Sequence, residues 1–95
     1  MASFYARKFQ GRQTANGEIY DALKYTAACN VLRLNTWIKV TDIKENKSVI
    51  VRINDRMSKR NRRLLDLSNA AAKKLGYHGR GLIKVKLEVL RNYHP

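Results

Sequence analysis

The chain has 95 residues, with 20 Lys and Arg against 7 Asp and Glu, a formal charge of +13, and 44% hydrophobic residues. That length suits a single domain, residues 1–95, with one core. No apolar run approaches the ~18 residues of a bilayer-crossing helix. The N-terminal segment also lacks the apolar centre of a signal peptide. The lone Cys29 has no internal disulfide partner, and with His78 and His94 it offers no zinc-type ligand spacing, so no metal and no cofactor is expected.

Taken in chain order, Ser3–Phe9 reads as a short strand leading into Gly11. Residues 11–18, Gly-Arg-Gln-Thr-Ala-Asn-Gly-Glu, form a loop whose Asn16-Gly17 pair tolerates the positive φ of a tight turn. Residues 19–30 mix aromatic and Ala side chains without a clean period.

From Trp37 the pattern sharpens. Trp-Ile-Lys-Val-Thr-Asp-Ile (37–43) and Ser-Val-Ile-Val-Arg-Ile-Asn (48–54) are β-branched runs separated by a polar Lys44–Lys47 connection, which predicts a hairpin. In the second run Val49, Val51 and Ile53 share one face, and Ile50, Arg52, Asn54 and Arg56 share the other. Extended by one residue, the same alternation places Asp55 on the apolar face, away from both flanking arginines.

Residues 56–63 carry five basic side chains in eight and predict an exposed loop. The segment Leu-Leu-Asp-Leu-Ser-Asn-Ala-Ala-Ala-Lys-Lys-Leu-Gly (64–76) predicts a helix capped by Asp66 or Ser68, with Ala70–Leu75 in its body and Gly76 as its stop. Residues 76–81 form a glycine-rich connector without the Lys-Ser/Thr ending of a phosphate loop. The last run alternates, with Ile83, Val85, Leu87 and Val89 on one face. Many short strands and few helices suggest a small closed barrel, because closure removes exposed edges.

Four stretches together carry a family resemblance: Ala2–Asp21 with its Thr-Ala-Asn-Gly-Glu, Tyr-Thr-Ala-Ala-Cys-Asn (25–30), Val-Arg-Ile-Asn-Asp-Arg (51–56), and Leu64–Gly76 with its Asp-Leu-Ser. In this order and spacing the chain resembles the rare lipoprotein A (RlpA) family over residues 2–90. The resemblance implies a mainly β fold, a six-stranded double-psi β-barrel with one or two short helices. It implies peptidoglycan glycan strands as the partner and lytic transglycosylase activity on strands lacking peptide stems, which leaves anhydro-sugar ends. It also implies a bacterial envelope location (periplasm or outer membrane) and envelope association of the full-length protein. A monomer is expected.

Carried over position by position, the resemblance assigns Asp55, Glu18 and Cys29 to the catalytic set. Cys29 stands where the family usually has a histidine after two alanines, and a thiol with an ordinary pKa near ~8.5 is mostly neutral at pH 7. Thr14, Asp66, Tyr5 and Arg56 are the expected substrate-binding positions. The chemistry needs one carboxyl group that protonates the leaving oxygen and then accepts the proton of the attacking sugar hydroxyl. Asp55 is assigned that role, because the apolar face would desolvate it and favour its neutral form. Glu18 is assigned to orient the sugar or stabilise developing positive charge.

Each residue also has a packing or pairing role to set against this. Asp55 is a candidate ion-pair partner for Arg52 or Arg56. Asp66 is a candidate helix cap, Thr14 and Glu18 shape a turn, and Cys29 fills space as a small apolar group. Tyr5, Tyr20 and Trp37 either stack on sugars or pack, and His78 is a distant substitute for the missing imidazole. Two other functions compete. One is a peptidoglycan-binding module without turnover. The other is a nucleic-acid binder, suggested by the charge alone and disfavoured by the lack of any helix-turn-helix or RNA-binding aromatic motif.

Overall fold

The computed structural model describes residues 2–4, 11–60, 63–76 and 83–95. Among these, six strands and one helix follow in the order β1 (Ala2–Phe4), β2 (Thr26–Ala28), β3 (Trp37–Asp42), β4 (Ser48–Asp55), β5 (Leu65–Leu67), α1 (Asn69–Leu75) and β6 (Val85–Val89). The strands hydrogen-bond in the order β1-β5-β2-β4-β3-β6. Two of the pairings, β1 with β5 and β2 with β4, are parallel. The sheet curls until its ends meet: Ala2 and Ile83 exchange both backbone hydrogen bonds, at 2.9 and 3.1 Å, and Ile83 leads directly into the opposite edge strand β6. This near-closure satisfies the edge that a strand-rich chain must otherwise protect.

The hairpin expected from residues 37–54 is present. β3 and β4 pair antiparallel from Trp37↔Arg52 to Thr41↔Ser48. Its connection turns on Asp42, whose Oδ1 accepts the N–H groups of Lys44 and Glu45, and on Asn46 at φ 57°. Along β3 and along β4 as far as Ile53 every second residue is buried, so Ile38, Val40, Val49, Val51 and Ile53 enter the main core with Leu65, Leu67, Leu75 and Ile83.

The expected 64–76 helix divides in two. Leu65 and Leu67 are buried around a half-buried Asp66, which is the period of a strand, and this piece pairs with both β1 and β2. The helix begins only after Ser68, whose Oγ accepts the Ala71 N–H at 3.2 Å, and it ends on Gly76 at φ 85°. Ser68 therefore caps the helix, and Asp66 lies two residues before it on β5. The ambiguous 19–30 stretch contains β2, a central strand, because Thr26, Ala27 and Ala28 are short enough to be covered on both faces.

Candidate functional site

The site starts from a turn. Gly17 N–H donates to the Thr14 carbonyl (3.0 Å) and Thr14 N–H to the Glu18 carbonyl (2.6 Å), with Gly17 at φ 90°. This is a three-residue hairpin loop closed by a left-handed glycine, the geometry that the Thr-Ala-Asn-Gly-Glu order allows. The Thr14 hydroxyl donates to Asn16 Oδ1 (2.6 Å), which also accepts the Glu18 N–H (3.1 Å). Thr14 is itself buried, so its hydroxyl serves the turn and is not presented to a ligand.

The turn lies over the end of β4. Asn16 N–H donates to the Asn54 carbonyl (3.2 Å), and Ala15 N–H donates to Asp55 Oδ1 (3.0 Å). Arg56 N–H reaches the same oxygen at 2.8 Å. Glu18, at the other end of the turn, points back to β4: Arg52 Nη2 donates to both its oxygens (2.8 and 2.7 Å), and Asn54 Nδ2 donates to Oε1 (3.2 Å). Residues 37 positions apart in the chain thus meet at one place. Arg52 also donates through Nη1 to Asn35 Oδ1 (2.9 Å), and Asn16 Nδ2 donates to that oxygen at 3.0 Å. Asn35 itself has φ 69°, a left-handed conformation that asparagine tolerates better than most residues. Asn54 Oδ1 is buried with no partner among the described residues.

The alternation that would place Asp55 on the apolar face breaks at a bulge. The β2–β4 register runs Thr26↔Arg52 and Ala27↔Ile53, then jumps to Ala28↔Asp55, leaving Asn54 as the extra residue. Ile53 and Asn54 are consequently buried in succession and Asp55 is half-exposed. Asp55 faces the side of Ala28, which packs with Tyr20 and Met57 outside the main core. The desolvation expected from the Val49-Val51-Ile53 row is therefore not what surrounds this carboxyl group.

The same row of the sheet continues to Asp66, the antiparallel partner of Ala28 on β5. Asp55 and Asp66 flank Ala28 on one face, with their strands two spacings or roughly 9.5 Å apart. Arg63 Nε approaches Asp66 Oδ1 at 3.6 Å.

The partners of Glu18 set its charge state. Hydrogen bonding from Arg52, then from Asn16, and to a lesser degree from Asn54, outweighs the opposing effect of burial and holds Glu18 down from its ordinary 4.5 to about 2. Glu18 is thus an anion at any physiological pH. Tyr20, expected as a sugar-stacking ring or a packing ring, is buried; burial pushes its phenol up, and its oxygen accepts the Asn69 N–H.

Two expected positions sit differently from their assignment. Cys29 is 0% exposed and packs in the main core, so its thiol does not join the Glu18–Asp55 face. The Arg56 guanidinium bonds the carbonyls of Cys29 and Leu32 (2.7 Å to the latter), so it clamps the loop after β2 instead of reaching out to a ligand. Tyr5 and His78 lie outside the described residues. Arg52, Asn54, Asn35 and Asn16 were not assigned to the site by sequence reasoning. Arg52 and Asn54 did share the non-core face of β4, which was the available signal.

A family model described as a lytic transglycolase, of the double-psi β-barrel type, matches residues 1–87. The chain belongs to the RlpA family. It is 47% identical over 90 residues to the "Endolytic peptidoglycan transglycosylase RlpA" of Haemophilus influenzae, covering 95% of this chain and 31% of that protein. It is 52% identical over 87 residues to the protein of the same name from Pseudomonas aeruginosa strain UCBPP-PA14, covering 92% and 26%. To that of Neisseria meningitidis serogroup A it is 46% identical over 87 residues, covering 92% and 36%. The chain therefore spans roughly a third of the length of the curated relatives it matches. The mainly β, six-stranded double-psi barrel expected from the sequence agrees with both the sheet and the family.

Proposed function

We propose that this RlpA-type domain is a peptidoglycan lytic transglycosylase that acts on glycan strands lacking peptide stems and leaves anhydro-sugar ends. The observation that carries the reading is the convergence of Glu18 and Asp55 on the 14–18 turn, in a chain whose family and relatives are named for this reaction. The two acids divide the work by environment. Glu18, held at about 2, keeps its negative charge and is suited to stabilise the oxocarbenium-like centre that develops as the glycosidic bond breaks. Proton transfer then falls to Asp55, whose Oδ1 is oriented by the Ala15 and Arg56 N–H groups. Asp55 gives its proton to the leaving sugar oxygen. It then takes the proton of the sugar hydroxyl that closes the anhydro ring, so no external water is consumed. An envelope location follows from this substrate.

Incubating the chain with peptide-free strands should release anhydro-ended fragments. Asp55→Asn should lower that release by about 10²–10⁴-fold while leaving the melting transition in place. Release at the wild-type rate would remove Asp55 from the mechanism.

A second reading, a strand-binding module without turnover, is favoured by one observation: the Cys29 side chain, where the resemblance expects a histidine, lies inside the core. Strand retention without anhydro products from the unmutated chain would establish it.

A further inference from the structure

Beside the Glu18–Arg52 pair runs a groove of about 500 Å³ over the outer face of the β3–β4 hairpin, within the range of small-ligand clefts. Aromatic and cationic side chains are prominent in its lining. Trp37 and Tyr25 present aromatic surface, with the Tyr93 ring 5.1 Å from Trp37 at a 50° tilt. Lys24, Lys39, Lys74 and Arg52 present four cations, and no Asp or Glu is among the lining residues. Arg52 joins the two sites, since its guanidinium bonds Glu18 while lying 5.9 Å from the centre of the Trp37 ring.

The three lysines make no ion pair among the described residues. With Arg52 balanced by Glu18, the three lysines around one cleft still repel one another, which is a standing cost unless an anion enters. The aromatic faces add a requirement, because a simple anion has no use for them whereas a pyranose ring stacks its C–H face on such surfaces.

We infer that this groove is a subsite for carboxylate-bearing sugars: the stretch of glycan strand next to the cut, in which removal of the peptide stem has uncovered a free lactyl carboxylate. The inference rests on the proposed substrate and adds a cause for the selectivity. A stem-bearing strand has that carboxylate tied up in an amide, so Lys39 and Lys74 have nothing to pair with. Trp37 and Tyr93 hold the sugar ring, and the lysines read its acid group.

The test uses Trp37, the only tryptophan of the chain, as an internal reporter of groove occupancy. Three probes are titrated: peptide-free strands, the same strands with their carboxylates converted to neutral methylamides, and neutral chitin oligosaccharides. The native strands should shift Trp37 emission with an affinity at least about tenfold above that of the two neutral probes, and that gap should close in high salt. Lys39→Gln with Lys74→Gln should weaken native-strand binding by about fivefold and leave binding of the methylamidated strands unchanged. Lys74 is exposed and Lys39 is half-buried on the outer face of β3, outside the core, so the variant is expected to fold.

Equal affinity for native and methylamidated strands would overturn the inference, as would a double variant indistinguishable from wild type. Displacement of the strands by DNA at an equal concentration of anionic groups would also overturn it, since the groove would then be a general polyanion surface. Failure of the proposed activity looks different: carboxylate-selective binding without anhydro products would sink the transglycosylase reading and leave the groove standing. Cleavage without carboxylate selectivity would do the reverse.

Discussion

Replacing Arg52 with Met removes the cation that holds Glu18 while keeping an unbranched side chain over Trp37. Between its ordinary 4.5 and about 2, Glu18 holds its proton roughly 300-fold less tightly than a free glutamate. Not all of that reaches folding stability, because the Glu18 side chain is 42% exposed and solvent screens the pair. A discounted figure of about 1 kcal/mol is appropriate.

The sign follows from the folded value lying below the unfolded one. The stabilisation is fully present above about 4.5 and fades as pH falls through the folded value near 2. Wild type and Arg52→Met should therefore differ by about 1 kcal/mol in urea unfolding at pH 7 and converge towards pH 2. The direct assay is carbon-13 NMR of glutamate-labelled protein, which is simple here because the chain has only three glutamates, Glu18, Glu45 and Glu88. Glu18 should titrate near 2 in wild type and rise towards its ordinary 4.5 in the variant. A wild-type Glu18 titrating at its ordinary 4.5, or one unmoved by Arg52→Met, would refute the assignment of Glu18 as a fixed anion.

The Cys29 thiol, fully enclosed in the core, should resist an aromatic disulfide reagent in native buffer and react only as urea unfolds the chain. Reaction at the rate of a free thiol in the native state would contradict its placement. Cys29→His forces an imidazole into the same filled space and should cost about 1–3 kcal/mol in urea unfolding. Gly17→Ala meets no atom within 4 Å but must adopt φ 90°. It should therefore lose about 1–2 kcal/mol and loosen the turn that carries both acids, seen as lowered strand cleavage. Ser68→Ala removes both the acceptor for the Ala71 N–H and the donor to the Lys24 carbonyl (2.6 Å). It should lower stability by about 1–2 kcal/mol in thermal unfolding.

Where one local pattern dominated, the sequence was legible. The 37–54 hairpin was readable because β-branched residues alternate with polar ones over most of its length. The end of the helix was readable because Gly76 can adopt the left-handed conformation found there. The 64–76 segment misled because Leu67 satisfies both the spacing of a strand with Leu65 and, with Ala71 and Leu75, that of a helix. The parallel partner β1 decides for the strand. Asp55 misled for a related reason. A two-residue period holds only while the ladder is regular, and the extra residue at Asn54 is visible only once β2 lies alongside.

By itself the sequence determined the secondary-structure preference, the surplus of positive charge, the turn chemistry of Thr14–Glu18 and the family, since each depends on residues close in the chain or on their order. Tertiary structure alone decided what surrounds each ionisable group. Arg52 closes on Glu18, the Arg56 guanidinium turns to the carbonyls of Cys29 and Leu32, and Cys29 sinks into the core. The physical reason is that a charge or a thiol responds to neighbours within a few ångströms, and in a curled sheet of mixed parallel and antiparallel strands those neighbours come from distant parts of the chain.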